Sequence, residues 1–231
     1  MPRTKEALRD AQAVVFSWHG VLFDRDRRAI HGAVRATFAR WGVALSEQDL
    51  LASRGPTARA QIVRLFSNGR VAEEFRARHA RWPTPDDLDA MERDLAPRLL
   101  EAATQAAEPN ADAVQSIRRL RERGVRTAAI ACLPKHLLAP QFERLMACGG
   151  APDVVVTTDE SCDPAPAPWA IFDAMRQLGV NDSSRVLAVD DSPAGAAAAA
   201  NAGAQAIALE VAGGALSPQA IGTVRSLDDI S

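Results

Sequence analysis

The sequence has no tyrosine and only three cysteines in 231 residues. Without tyrosine, no phenol is there to act as acid, base or nucleophile. Lysine is nearly absent too: Lys5 and Lys135 are the only two among the 27 Lys and Arg. Schiff-base chemistry therefore has two candidate amines, and Lys5 lies in a charged N-terminal leader. Cys132, Cys148 and Cys162 are odd in number and form no CxxC pair. That excludes a disulfide scaffold or zinc site and points to a reducing, cytoplasmic setting. No run approaches the roughly 18 apolar residues of a membrane span, and MPRTKEALRDAQ is not followed by an apolar segment of signal-peptide length. A net charge of −2 gives neither a nucleic-acid-binding nor a polybasic membrane-binding protein.

The chain does have a regular alternation of short apolar runs and helical spacing. Ala11–Ser17 reads as an apolar strand, followed by a loop over Trp18–Asp26. Ile30, Val34, Phe38 and Trp41 recur at about one helical turn. Residues 46–107 give further helical segments and no strand, with breaks at Arg54–Gly55–Pro56, Asn68–Gly69 and Trp82–Pro85. Thr84, Pro85, Asp86 and Asp87 make a good helix start: a capping hydroxyl, a first-turn proline and two acids at the positive end. From Pro109 onward, strands expected at 125–131, 153–157, 185–189 and 204–209 alternate with glycine-ended helices. This pattern predicts βαβ units, a parallel sheet and an α/β fold. The expected core domain is 1–23 with 108–231, and 24–107 is a helical cap inserted after the first strand. Ligands bind at the carboxyl ends of such strands, which directs attention to residues 17–24, 131–136, 157–168 and 190–195. His31 and His79 are expected on the surface and Trp169 in the core.

These segments resemble the haloacid dehalogenase (HAD) superfamily of phosphotransfer enzymes. Its fold is a Rossmannoid parallel-sheet core with a helical cap. VVFSWHGVLFD resembles the superfamily's hhhhDxDGTLxD signature, and VLAVDDSPAGAAAAANAGA resembles its fourth motif, with paired acids at Asp190 and Asp191. Within the superfamily the chain is most similar to the phosphonatase-like members: FSWHGVLFD parallels their FDWAGTTVD, and TTDESCDPAPAPW parallels TPDD…GRPxPW. The resemblance implies an aspartyl nucleophile where this chain has Ser17. It places His19 two residues on, Ala131 (beside Cys132) at the phosphoryl-binding hydroxyl, Ala165 at the third-motif base and Arg59 at the cap lysine. Arginine stays protonated and is no amine nucleophile. Together these departures exclude phosphoaspartyl chemistry. The Mg²⁺ that the resemblance implies falls on Asp190 and Asp191, with Ser17 a neutral substitute for a charged ligand. The resemblance also implies a homodimer through Ile30–Trp41 or neighbouring cap helices.

Three functional readings remain. In the first, a small metabolite binds between cap and core, and Ser17, His19 and Asp190 carry a non-phosphoryl hydrolase or lyase reaction, since hydroxyl, imidazole and carboxylate are the composition of a nucleophilic triad. Cys132 is a second candidate nucleophile. Arg54, Arg59, Lys135 and Asp24 are the candidate substrate-binding residues, the arginines because they grip anions in a bidentate manner. The second reading is a catalytically silent protein that binds a ligand or a partner. The third is a magnesium-dependent phosphatase or phosphonatase.

Overall fold

Short apolar runs form the strands of a single sheet, as their composition predicts. The structure is a computed structural model and describes residues 2–24, 27–53, 57–157, 165–210 and 217–230. The chain starts with α1 (Pro2–Asp10) and β1 (Ala13–Ser17), then runs through five helices, α2 (Arg28–Arg40), α3 (Glu47–Ala52), α4 (Ala58–Ser67), α5 (Gly69–His79) and α6 (Pro85–Gln105). It continues with α7 (Ala111–Glu122), β2 (Arg126–Ile130), α8 (Lys135–Ala147), β3 (Val154–Val156), α9 (Trp169–Leu178), β4 (Val186–Asp190), α10 (Pro193–Asn201), β5 (Gln205–Leu209) and β6 (Gly222–Val224). Two compact units result: Met1–Arg27 with Ala106–Ser231, and Arg28–Gln105.

In the first unit the sheet order is β3-β2-β1-β4-β5-β6, with every pairing parallel. Val14, Val15 and Phe16 of β1 are all buried, because helices cover both faces of such a sheet and its central strands read as continuous apolar runs. The alanines of α10 are small enough to sit against the strands, and Ala196 and Ala199, with Ala202 just past the helix, join the core cluster of Val15, Val186 and Ala206. Gly179 ends α9 in the left-handed region at φ 68°, where a side chain is disfavoured. The chain order reverses between β1 and β4, so their carboxyl ends lie side by side at the sheet's switch point.

The second unit is helical, with an aromatic core in which Phe38 and Phe66 lie 5.3 Å apart and Phe66 and Phe75 5.4 Å. His79 is half-buried, its ring 4.2 Å from that of Phe75. His31 is buried, with Nδ1 2.8 Å from Glu47 Oε1. Both positions correct the expectation of surface histidines: each ring lies on the inward stripe of its helix. Trp169 is corrected in the opposite sense. It is 50% exposed and pairs with Phe172 on the outer face of α9. No helix among the described residues is long and apolar enough to cross a membrane.

The start of α6 follows the sequence expectation. Thr84 donates its backbone N–H and its hydroxyl to Asp87 Oδ2, both at 2.8 Å, and the Thr84 hydroxyl accepts from the Asp87 N–H at 3.4 Å. Arg81 Nη2 donates to Asp87 Oδ1 at 2.9 Å. The Arg81 hydrogen bonds, and then those of Thr84, hold the Asp87 carboxyl well below the usual carboxylate range, although burial opposes them. We expect Asp87→Ala to cost about 0.5–2 kcal/mol, as loss of a helix cap does. Because the folded-state pKa is depressed, this stabilisation is complete above the unfolded value of about 3.9 and fades as the pH falls below it. Urea unfolding at neutral and acid pH checks both, and the gap between variant and wild type should narrow in acid.

Candidate functional site at the carboxyl edge of the sheet

β1 delivers Ser17 to the carboxyl edge, and the chain then folds back in a tight turn. Gly20, at φ 89°, donates its N–H to the Phe23 carbonyl at 2.7 Å, and the Phe23 N–H returns to the Trp18 carbonyl at 3.0 Å. Trp18 anchors this turn from beneath. It is fully buried, lies 5.1 Å from the Phe23 ring, and donates its indole N–H to Gln141 Oε1 at 2.6 Å. Gln141 is equally buried, and its amide donates to the Ala106 carbonyl at 2.9 Å. Asn110 closes the outer side, donating through its backbone N–H to the Leu22 carbonyl and through Nδ2 to the Val21 carbonyl, both at 2.8 Å.

β4 delivers the acidic pair to the same edge. The Ser192 backbone N–H and hydroxyl donate to Asp190 Oδ1 at 2.8 and 2.6 Å. The hydroxyl also caps α10, accepting from the Gly195 N–H at 3.1 Å. Burial, then the neighbouring Asp191 charge, pushes the Asp190 carboxyl up to about 6, with Ser192 and Arg27 opposing. Asp191 accepts a two-point contact from Arg27: Nε donates to Oδ2 at 2.7 Å and Nη2 to Oδ1 at 2.5 Å. Nη2 also donates to the His19 carbonyl at 2.7 Å. Burial works against the Arg27 charge, but the Asp191 carboxylate outweighs it and holds the guanidinium above its ordinary value.

The structure therefore brings Ser17, His19, Asp190 and Asp191 together, but not as a triad. The Ser17 hydroxyl donates to the His19 backbone carbonyl at 3.1 Å, because the Gly20 turn folds that carbonyl over it. His19 is buried, and desolvation, then Arg27, drives its imidazole down to about 3, with Asp191 and Gln141 opposing. The ring is neutral at ordinary pH, and its Nε2 has no hydrogen-bond partner among the described residues. Cys132 lies two residues past β2. The residue is exposed, yet the surrounding protein desolvates the thiol and pushes it up to about 11, with Arg27 opposing and the Asp190 and Asp191 charges adding to the rise. The expected thiolate nucleophile is thus a protonated thiol, since desolvation opposes its ionisation.

Of the expected binding residues, Lys135 is the exposed first residue of α8. Asp24 has a left-handed backbone at φ 43°, and its carbonyl accepts from the Arg27 N–H at 2.6 Å. Arg54 lies outside the described residues, as does Cys162. Arg59 belongs to α4, where it forms ion pairs with Asp89 and, at 3.7 Å, with Glu92. Its charge is matched by these acids of its own unit. Two residues at the edge were missed in the sequence. Arg27 hid in the charge run DRDRR, which looks solvated. Gln141 did leave a signal, as the one polar residue on the buried stripe of Leu137, Leu138 and Leu145.

A parallel sheet of this order, interrupted after its first strand by a helical insertion, defines a Rossmann-like α/β fold. The chain belongs to the haloacid dehalogenase-like hydrolases, and that family's pattern matches residues 11–203. Phosphonoacetaldehyde hydrolase of Bordetella pertussis (strain Tohama I) is 28% identical over 207 residues, covering 88% of this chain and 74% of that protein. Phosphonoacetaldehyde hydrolase of Paraburkholderia xenovorans (strain LB400) is 25% identical over 220 residues, covering 95% and 82%. Among solved structures, a phosphonoacetaldehyde hydrolase-like protein from Oleispira antarctica shares the fold with a TM-score of 0.87 at 17% identity, covering 96% of this chain and 92% of that one. CbbY from Rhodobacter sphaeroides, in complex with phosphate, shares it at 0.71 and 21% identity, covering 96% of each chain.

The family implies Mg²⁺, but the donor set does not fit it. Mg²⁺ demands near-octahedral hard oxygen ligands. Here both Asp191 oxygens already accept from a guanidinium, Asp190 Oδ1 accepts twice from Ser192, and Ser17 offers a neutral hydroxyl turned to its own loop.

Proposed function

We propose that this haloacid dehalogenase-like protein binds a small metabolite at the carboxyl edge of its sheet without phosphoaspartyl chemistry. The observation that carries this reading is Ser17. It stands at the end of β1, where the family resemblance implies a carboxylate nucleophile, and its hydroxyl is engaged by the His19 carbonyl. A serine needs a base to become a nucleophile, and the nearby imidazole neither accepts its proton nor carries charge. The switch-point location supports ligand binding there. The names of the relatives make phosphonate- and phosphate-bearing metabolites the first class to test.

The test pairs turnover with binding. Phosphonoacetaldehyde and p-nitrophenyl phosphate, each with and without Mg²⁺, should release no phosphate, while a panel of phosphorylated and phosphonylated metabolites should contain compounds that raise the thermal midpoint. Mg²⁺-dependent phosphate release that survives Ser17→Ala would restore the phosphatase reading. Turnover of any substrate abolished by Ser17→Ala or His19→Ala would instead make these two residues catalytic. Either result overturns the proposal.

A further inference from the structure

Arg27 is heavily engaged at this edge, and nothing in the binding reading requires it. Its guanidinium makes three hydrogen bonds, two to Asp191 and one to the His19 carbonyl. The Asp191 side chain is fully shielded from solvent and that of Arg27 is 17% exposed. The Arg27 backbone lies in the left-handed region at φ 54°, a conformation that non-glycine residues keep only where their surroundings fix it. The other face of Asp191 is closed by backbone: a Cβ at Gly20 would lie 2.2 Å from Asp191 Oδ2. A divalent cation approaching Asp191 must therefore displace the guanidinium or stand within a few ångströms of it.

We infer that Arg27 is a resident cation, its guanidinium holding the charge-neutralising place at the Asp190/Asp191 pair that a divalent ion would otherwise take. The fork suits the task because it matches both carboxylate oxygens at once. It also ties the loop after β1 to the loop after β4, so the site is assembled by a side chain of the protein itself. This inference rests on Arg27 and Asp191 and not on Ser17. Phosphate release that needs no Mg²⁺ in the assays above would overturn the binding proposal and leave this inference standing, and failure of the inference would leave the binding proposal standing.

Thermal unfolding and Mn²⁺ calorimetry test it, using MgCl₂ or MnCl₂ against KCl of equal ionic strength. The wild-type midpoint should not respond to millimolar Mg²⁺ or Mn²⁺. Arg27→Met should lower the midpoint, recover part of it with Mn²⁺, and bind the ion at least about tenfold more tightly than wild type, as expected when a full positive charge beside the site is removed. Adding Asp191→Asn to that variant should abolish the response. If Arg27→Met does not fold, Arg27→Lys decides: its single ammonium cannot engage both oxygens, so it should gain a Mn²⁺ response that wild type lacks. A wild-type response that Asp191→Asn removes would overturn the inference. So would a folded Arg27→Met with an unchanged midpoint, or a complete lack of Mn²⁺ response in both Arg27 variants.

Discussion

Trp18→Ala is expected to cost about 3–5 kcal/mol of folding free energy, the range for removing a large aromatic side chain from a close-packed core. Trp18 is fully buried beneath the turn after β1, against Phe23 and the floor of the sheet. Its loss leaves a cavity and also deprives Gln141 Oε1, itself buried, of its indole donor. The two contributions separate in Trp18→Phe. That variant keeps much of the apolar volume but loses the donor, and it should cost about 1–3 kcal/mol, the penalty of an unsatisfied buried acceptor. Chemical denaturation of both variants measures them. A Trp18→Phe protein as stable as wild type would show that the Gln141 contact contributes nothing.

Gly20→Ala should be comparably severe, for a different reason. The residue sits at φ 89°, and an added methyl would meet the Asp191 carboxylate at 2.2–2.7 Å. Left-handed strain alone costs roughly 1–2 kcal/mol. The larger loss comes if Asp191 moves aside and breaks its pairing with Arg27, since opening a buried ion pair costs about 3–5 kcal/mol. The expected destabilisation is therefore above about 3 kcal/mol. Gly32→Ala is the control. Gly32 is exposed within α2, an added methyl there has nothing within 4 Å, and the change should stabilise by about 0.5–1 kcal/mol. Denaturation midpoints of the two variants should move in opposite directions. A Gly20→Ala variant within about 1 kcal/mol of wild type would mean that the turn does not press on Asp191.

Much of the fold could be read from local pattern. The strands were apolar runs bounded by glycine-ended helices, and observed β1, β2, β4 and β5 lie within a residue or two of their expected bounds. β6 was missed because Gly-Thr-Val is too short to show any period. The acidic pair was legible because Asp190 and Asp191 directly follow an apolar strand at a position where the topology itself builds a site. The partner of that pair was not, because Arg27 meets Asp191 across 164 positions of sequence and looks like one more arginine in a charged loop. The direction of the Ser17 hydroxyl was hidden for another reason. Composition places serine, histidine and aspartate near one another, but the Gly20 turn decides which atom of residue 19 faces the serine, and it presents the carbonyl.

The hydrogen bonds from Asn110 to Val21 and Leu22, with the bridge between Phe23 and Pro109, pin together the two points where the chain leaves and re-enters the sheet unit. An excursion whose ends are already joined is a closed loop, and the entropy of closing it grows only with the logarithm of its length, about 0.6 kcal/mol per doubling. The sheet is therefore nearly indifferent to how much chain hangs from this junction. A lineage built on this core could lengthen, shorten or exchange the Arg28–Gln105 insertion at almost no cost to the strands, so the insertion and the sheet can diversify at separate rates.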